Sequence, residues 1–341
     1  MGIESVGRSS SVYRKSQMRI VFMGTAELSC ASLEKLAHRE GLQIAAVVTQ
    51  PDRPKGRELK EQSSPVKTLA LRLGLPVLQP ARARDEKFIA DLRALQPDLI
   101  VVAAYGQILP QSILDLPRHG CLNVHTSLLP AYRGAAPIQW AIANGDTETG
   151  VTIMKMDAGL DIGPIVSQRR TPIRSDDDSA TLHDRLAQLG AELLVQTIPD
   201  YVTGKIQPRP QPAEGVSHAP KIKKEDGRID WKSSAQNILN RLRAFTPWPG
   251  AFTSWSSSFG LLPSQGTLKR ELQLLKIWKA EAVEKSGAPG QVLSADKNGI
   301  VVGCGKSALQ ILELQLEGGR RMSAAEFLAG HPLRNGEILG R

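Results

Sequence analysis

Residues 120–142 read GCLNVHTSLLPAYRGAAPIQWAI, and this is the segment of the chain richest in side chains that could do chemistry. In an extended CLNVH strand, alternation puts Cys121, Asn123 and His125 on one face and Leu122 and Val124 on the other. An amide and an imidazole on one strand face need polar partners or a pocket, because strand faces in a layered α/β protein are normally buried. Taken alone, Asn-x-His spacing recurs by chance, and a single histidine is more often a satisfied core or surface group than a catalyst. The residues immediately after the strand add weight: the turn Ser127 to Pro130 ends it, and YRGAAP supplies a loop with the flexible Gly134, the kind of place where functional groups gather. A second candidate is MKMDAGLDIGPI, where Asp157 and Asp161 lie between apolar runs and Gly159 and Gly163 let a backbone approach a ligand closely. Asp157 reads as a turn residue bonding its own backbone.

Other chemical templates are missing. GTAELS after the first apolar run is not G-x-G-x-x-G, and no Walker A sequence, H-E-x-x-H, C-x-x-C or G-x-S-x-G occurs. The expectation is chemistry without a metal, a nicotinamide or a covalent serine.

The elements that must position these residues emerge from periodicity. Arg19 to Met23, Ile44 to Thr49 and Leu99 to Ala104 are short apolar runs that predict buried strands; Ser29 to Arg39, Ser64 to Leu73 and Phe88 to Leu95 carry helical spacing. Strands alternating with helices predict an α/β layer with a doubly wound, mostly parallel sheet, which binds ligands at the carboxyl ends of its strands. After Gly204 the stretch KIQPRPQPAEGVSHAP, with four prolines and no apolar period, reads as an extended linker. Beyond a helix over Ser233 to Phe245, the short runs Ala251 to Trp255, Leu272 to Trp278, Gly290 to Leu293, Gly299 to Cys304 and Ala308 to Glu313 predict a small β-barrel, with Ser256 to Gly266 between them reading as a mobile loop. The expected organisation is a disordered leader over 1–17, a first domain over 18–204, a linker over 205–222 and a second domain over 223–341.

Composition narrows the class. At 341 residues two cores are natural, and no apolar run approaches a membrane span. Cys30, Cys121 and Cys304 are too few and too scattered for a disulfide framework or a zinc site, which fits a reducing cytoplasm. The net charge is +9; residues 222–341 hold 17 Lys and Arg against 11 Asp and Glu, so the last third carries most of the excess. A small basic domain is the electrostatic signature of a polyanion binder.

NVHTSLLPAYRGAAPIQWAI, with MDAGLDIGPI after it, closely resembles the folate-dependent formyltransferases, as do TQPDRPKGR with SPVK, YGQILP, RIDW, FTPWPG and RRMSAAEFLAG. The first turn, GTAEL, lacks the family's proline and phenylalanine, Glu58 and Glu61 make the next loop less basic than usual, and against the family's pattern Ser256 to Gly266 looks like an insertion in the barrel. The resemblance implies a Rossmann-like catalytic domain and a C-terminal barrel resembling an OB-fold. It implies a catalytic trio of Asn123, His125 and Asp161, in which Asp161 raises the pKa of His125 so that imidazolium and amide together face a developing oxyanion. It places 10-formyltetrahydrofolate, the formyl donor, against Ser127, Leu128, Leu129, Pro130, Tyr105, Ile108 and Gly159. It implies an acceptor amine on methionyl initiator tRNA, gripped by Arg57 with Arg53, Lys55 and Lys67. A monomer acting in translation initiation, with no metal and no membrane, is the expectation. Two alternatives stay open: a formyltransferase or formyl-folate hydrolase acting on a small molecule such as glycinamide ribonucleotide, and a non-catalytic RNA-binding protein that kept the fold.

Overall fold

The computed structural model describes residues 17–55, 60–256 and 272–340. By its contacts the chain divides into two compact units: residues 1–124, 155–158 and 194–207, and residues 125–154, 159–193 and 208–341.

In chain order the elements leading to the site are β1 (Met18–Gly24), α1 (Leu28–Ala37), β2 (Leu42–Val48), β3 (Arg53–Lys55), β4 (Lys60–Gln62), α2 (Pro65–Arg72), β5 (Val77–Leu78), α3 (Glu86–Ala94), β6 (Leu99–Ala103), α4 (Gln111–Leu114) and β7 (Cys121–His125). In the first unit β7, β6, β1, β2 and β5 lie side by side in that order, all parallel. The apolar runs Ile20 to Met23 and Leu99 to Ala103 are almost wholly buried, as the central strands of such a sheet must be. Sequence-encoded caps start the helices: the Ser64 hydroxyl accepts from the Lys67 amide and the Asp85 carboxylate from the Phe88 amide, each satisfying an orphan N–H of the first turn. From β1 the chain runs outward one way to β2 and β5, and then returns to β6 and β7 on the other side. The carboxyl ends of β1 and β6 are therefore a topological switch point.

The second unit holds β8 (Arg133–Gly134), α5 (Pro137–Ala143), β9 (Glu148–Lys155), β10 (Ile165–Pro172), most of α6 (Ser179–Val202) and β11 (His218–Ala219), then α7 (Ala235–Ala244) and the strands β12 (Ala251–Ser256), β13 (Leu272–Val283), β14 (Val292–Asp296), β15 (Gly299–Gly303), β16 (Ala308–Leu316) and β17 (Met322–Ser323), and finally α8 (Ala324–Gly330). β9 and β10 pair antiparallel, and β11 pairs with β8 in parallel. The C-terminal strands form an antiparallel sheet ordered β12-β13-β16-β15-β14, with β17 on β16. Its core gathers Trp231, Trp255, Leu275, Ile311, Leu314 and Phe327. The anticipated strands and helices occur, with shifts of a few residues at their ends. Two features differ. The 24-residue α6 is not anticipated from the sequence, although Leu182, Leu186, Leu193 and Leu194 keep helical spacing. The Pro-rich stretch after Gly204 is not a bare spacer, because Arg209 bridges to Ile165 and β11 pairs with β8. Among the described residues no helix is long and apolar enough to cross a membrane.

Phe327 is fully buried, with Trp255 edge-on at 5.5 Å and His331 at 5.0 Å. Phe327→Ala should lower the unfolding free energy by about 3–5 kcal/mol, read as a displaced denaturant midpoint.

Candidate active site

His125 is the last residue of β7 and is 5% exposed. Its Nε2 lies 3.0 Å from the main-chain carbonyl of Tyr132. A carbonyl only accepts, so Nε2 carries the hydrogen and Nδ1 presents its lone pair in the neutral ring. That lone pair faces Oδ2 of Asp161 at 3.7 Å. The same Oδ2 accepts a 2.9 Å hydrogen bond from the amide of Gly134, which fixes the carboxylate beside the ring.

Each partner is itself held. Tyr132 has a φ of +60°; its amide donates to Ser217 Oγ at 2.9 Å, and its hydroxyl donates to Asp146 at 2.7 Å while accepting from Asn144. Burial, with Asp146 beside it, pushes the Tyr132 phenol up to about 12, so it stays a neutral donor. Asp161 has a φ of +53°, a left-handed conformation that aspartate tolerates better than most residues. Gly134, at φ +125°, is a position where only glycine fits, because a Cβ there would stand 2.6 Å from the carbonyl oxygen of Ala219.

The electrostatics correct one expectation. Asp161 does raise the His125 pKa, as does the Tyr132 carbonyl, but burial outweighs both and pulls the imidazole below its ordinary value. The resting site therefore holds a neutral imidazole beside a carboxylate, not the imidazolium expected from the charge pair alone.

The other expected residues separate into groups. Asn123 lies two residues before His125 on β7, paired with Val102 of β6, at the carboxyl edge of the parallel strands. In the Ser127 to Pro130 turn, Thr152 accepts from the Leu129 amide and donates to the Ser127 carbonyl, and Gln168 donates to the Leu129 carbonyl. Ser127 is fully buried with its hydroxyl spent on the Ala131 carbonyl, and Leu129 packs on Met154 and Ile165, so both shape the turn from inside. Leu128 and Pro130 are half-buried. Tyr105 lines a cavity of about 970 Å³ in the first unit, with Thr25, Gln50, Ser64 and Arg72 at the carboxyl ends of β1, β2 and β6. Its hydroxyl is buried with no hydrogen-bond partner among the described residues, and burial pushes it up to about 12. Ile108 is 87% exposed, and Gly159 lies against Ile162, whose side chain any Cβ there would displace. Arg53 and Lys55 form β3, Arg57 lies outside the described residues, and the Lys67 ammonium is tied to Asp52, whose carboxyl it holds below the usual range. On the C-terminal sheet Lys276 and Arg321 lie 4.5 and 5.3 Å from the ring of Trp278. Among the described residues no three His, Cys, Asp or Glu side chains cluster as metal ligands.

Sequence reasoning missed Tyr132, Asp146, Gln211 and Ser217. The first of these holds the imidazole through a main-chain oxygen, which no residue type announces.

A parallel sheet with a switch point in the first unit, and in the second a buried imidazole beside a carboxylate together with an antiparallel sheet, are the features that the comparisons with known proteins meet. The family model described as formyl transferase matches residues 18–198, and the one described as formyl transferase, C-terminal domain, matches 221–332, so the chain belongs to the formyl transferase family. It is 50% identical over 324 residues to the methionyl-tRNA formyltransferase of Citrifermentans bemidjiense, covering 95% of this chain and 97% of that one. It is 51% identical over 321 residues to the methionyl-tRNA formyltransferase of Myxococcus xanthus, covering 94% and 97%. Among solved structures it resembles HypX from Aquifex aeolicus in complex with tetrahydrofolic acid, with a TM-score of 0.56 and 19% identity over 96% of this chain and 51% of that one. It also resembles the N-formyltransferase from Helicobacter canadensis in complex with folinic acid and dTDP-3-aminofucose, with a TM-score of 0.59 and 17% identity over 86% and 99%. At these identities the two structures speak for the fold.

Gly134→Ala should strain the left-handed backbone and push β8 from β11, costing about 2 kcal/mol in unfolding free energy. Thermal unfolding checks it, and a stability equal to that of the parent would contradict the close approach.

Proposed function

We infer that this chain transfers the formyl group of 10-formyltetrahydrofolate to the amino group of methionyl initiator tRNA in the cytoplasm. The observation that carries the reading is the neutral imidazole of His125, its tautomer set by the Tyr132 carbonyl and its free nitrogen turned to Asp161. The strong likeness over nearly the whole chain to methionyl-tRNA formyltransferases supports the acceptor. So does the basic surplus of residues 222–341, with cations stacked on Trp278. For the donor, the first unit offers the cavity lined by Thr25, Gln50 and Tyr105 at the carboxyl ends of its parallel strands.

The folate supplies the formyl group on a nitrogen that becomes the leaving group. The remaining work falls to the chain. An α-amine has a pKa near ~8, so at neutral pH a usable fraction is already deprotonated and only a modest base is needed. As the amine nitrogen bonds to the formyl carbon, the Asn123 amide donates to the oxygen on which negative charge develops; one such donor contributes roughly 3 kcal/mol. Nδ1 of His125 takes the proton shed by the amine, and Asp161, at 3.7 Å, stabilises the imidazolium so formed. Collapse breaks the bond from the formyl carbon to the folate nitrogen, which receives the proton back from His125. Each group returns to its starting state, and no covalent bond to the protein forms.

Below the pKa of the acceptor amine, kcat/KM should fall in proportion to the deprotonated amine, and a further acid limb, from protonation of His125, should appear only below the ordinary histidine value because burial lowers its pKa. Asp161→Asn removes an influence that raises this pKa, so the His125 limb should move further down while kcat falls about a hundredfold. Asn123→Ala should lower kcat by roughly two orders of magnitude with tRNA binding little changed. The decisive assay offers the purified protein 10-formyltetrahydrofolate with either methionyl initiator tRNA or glycinamide ribonucleotide. Formyl appearing on the ribonucleotide and not on the tRNA would sink the reading.

A further inference from the structure

The stretch that joins the two family regions makes more contact with the His125 and Asp161 pair's supports than a spacer needs. Gln211, between Pro210 and Pro212, donates through Nε2 to the carbonyls of Asp161 and Gly163, each at 2.8 Å. Its Oε1 accepts from Nε and Nη2 of Arg133 at 3.1 and 2.7 Å. Carbonyls only accept and a guanidinium only donates, so the amide has one possible orientation and all four of its hydrogen bonds are made. On one side of it, Arg209 exchanges two main-chain hydrogen bonds with Ile165, at 2.7 and 2.8 Å. On the other, Ser217 accepts the Tyr132 amide through its hydroxyl and the Arg133 amide through its carbonyl, and the Ala219 carbonyl accepts from Ala135.

Thus residues 209–219 bind both loops that build the site. One carries Asp161 in its left-handed conformation; the other carries the Tyr132 carbonyl that orients the imidazole and the Gly134 amide that holds the carboxylate. Apart from the two-residue β8, whose strand partner β11 belongs to the same stretch, neither loop holds a regular element, and a shift of about 1 Å in a reacting group can cost a hundredfold in rate.

We propose that residues 209–219 are a positioning strap for the reaction, with Gln211 the residue that sets the spacing between the Asp161 carboxylate and the His125 ring. Gln211 touches neither reacting group's polar end and acts through the backbone of one and the neighbours of the other. The inference rests on the assignment of His125 and Asp161 as the reacting pair. Among the described residues Asp161 is the charged group facing the ring, and the Tyr132 carbonyl faces it from the other side.

The test compares Gln211→Met, which keeps bulk and loses every hydrogen bond, with Gln211→Glu, which keeps the Arg133 contact and loses both donors to the Asp161 loop. Two readouts are taken on the full chain: steady-state formyl transfer, and titration of the carbon-13-labelled His125 ring in the protein without substrates, assigned with His125→Gln. Both variants should show kcat at least about tenfold lower with either KM within about twofold of the parent. In Gln211→Met, which adds no charge, His125 should titrate at lower pH, because a released carboxylate no longer supports the ring's charge, whereas Gln211→Glu, whose own carboxylate acts on the ring, is read by kcat. An unchanged kcat in either variant, or in Gln211→Met a fall in kcat with the titration unmoved or a moved titration with kcat intact, would each overturn the strap. If both variants fail to fold by circular dichroism, Ser217→Ala, which frees the Tyr132 amide, takes their place with the same expectations, and parental values in it overturn the proposal. A parent protein that transfers no formyl to tRNA would defeat the functional reading instead, and the titration would still report on the strap.

Discussion

The site depends on a main-chain oxygen. The Tyr132 carbonyl on Nε2 of His125 decides which ring nitrogen carries the hydrogen and which presents a lone pair in the neutral ring. Were Nε2 free, the ring could carry its hydrogen on Nδ1 toward Asp161 instead, and no lone pair would face the carboxylate. With Nε2 committed, the carboxylate faces a lone pair, and the pair gains its favourable charge interaction only when a proton arrives. In the proposed reaction this makes a base whose conjugate acid meets a carboxylate already in place, while burial keeps the resting ring neutral. The same low-dielectric setting that disfavours the resting imidazolium strengthens its attraction to Asp161 once formed.

Much of the framework is legible in the sequence. Apolar runs such as Ile20 to Met23 and Leu99 to Ala103 declare the central strands because they are buried on both faces. Ser64, Asp85, Ser234 and Ser323 stand as N-caps because their short oxygens reach back to the helix they open. Asn123 and His125 are visible as a polar pair on a buried strand. Asp161 can be singled out only by likeness to a family, since nothing in its spacing separates it from the turn aspartate at 157.

The illegible part has physical reasons. The direction of the His125 shift depends on how completely the fold encloses the ring, and burial is a property of the packed chain. Lys67, expected to reach a polyanion, is engaged by Asp52 fifteen residues away. Ser127, expected at a ligand, spends its hydroxyl inside its own turn. Gln211 makes its hydrogen bonds across 48 to 78 residues of sequence, and an amide among prolines looks the same whether it faces solvent or a catalytic loop. Arg57 and the Ser256 to Gly266 insertion lie at or beyond the described residues and stay as sequence-based expectations.

The parallel pairing of β11 with β8 has a consequence for the order of biosynthesis. The Tyr132 amide meets Ser217 across 85 residues. A ribosome that has released the chain only as far as the end of α6 has already delivered both reacting side chains, but not the peptide segment that locks their loops. The newborn domain can bury its parallel strands at that stage, since those contacts are complete. On the proposed role of that strap, its chemistry waits for a tract that, in the one-dimensional reading, looks like nothing more than the road to the next domain.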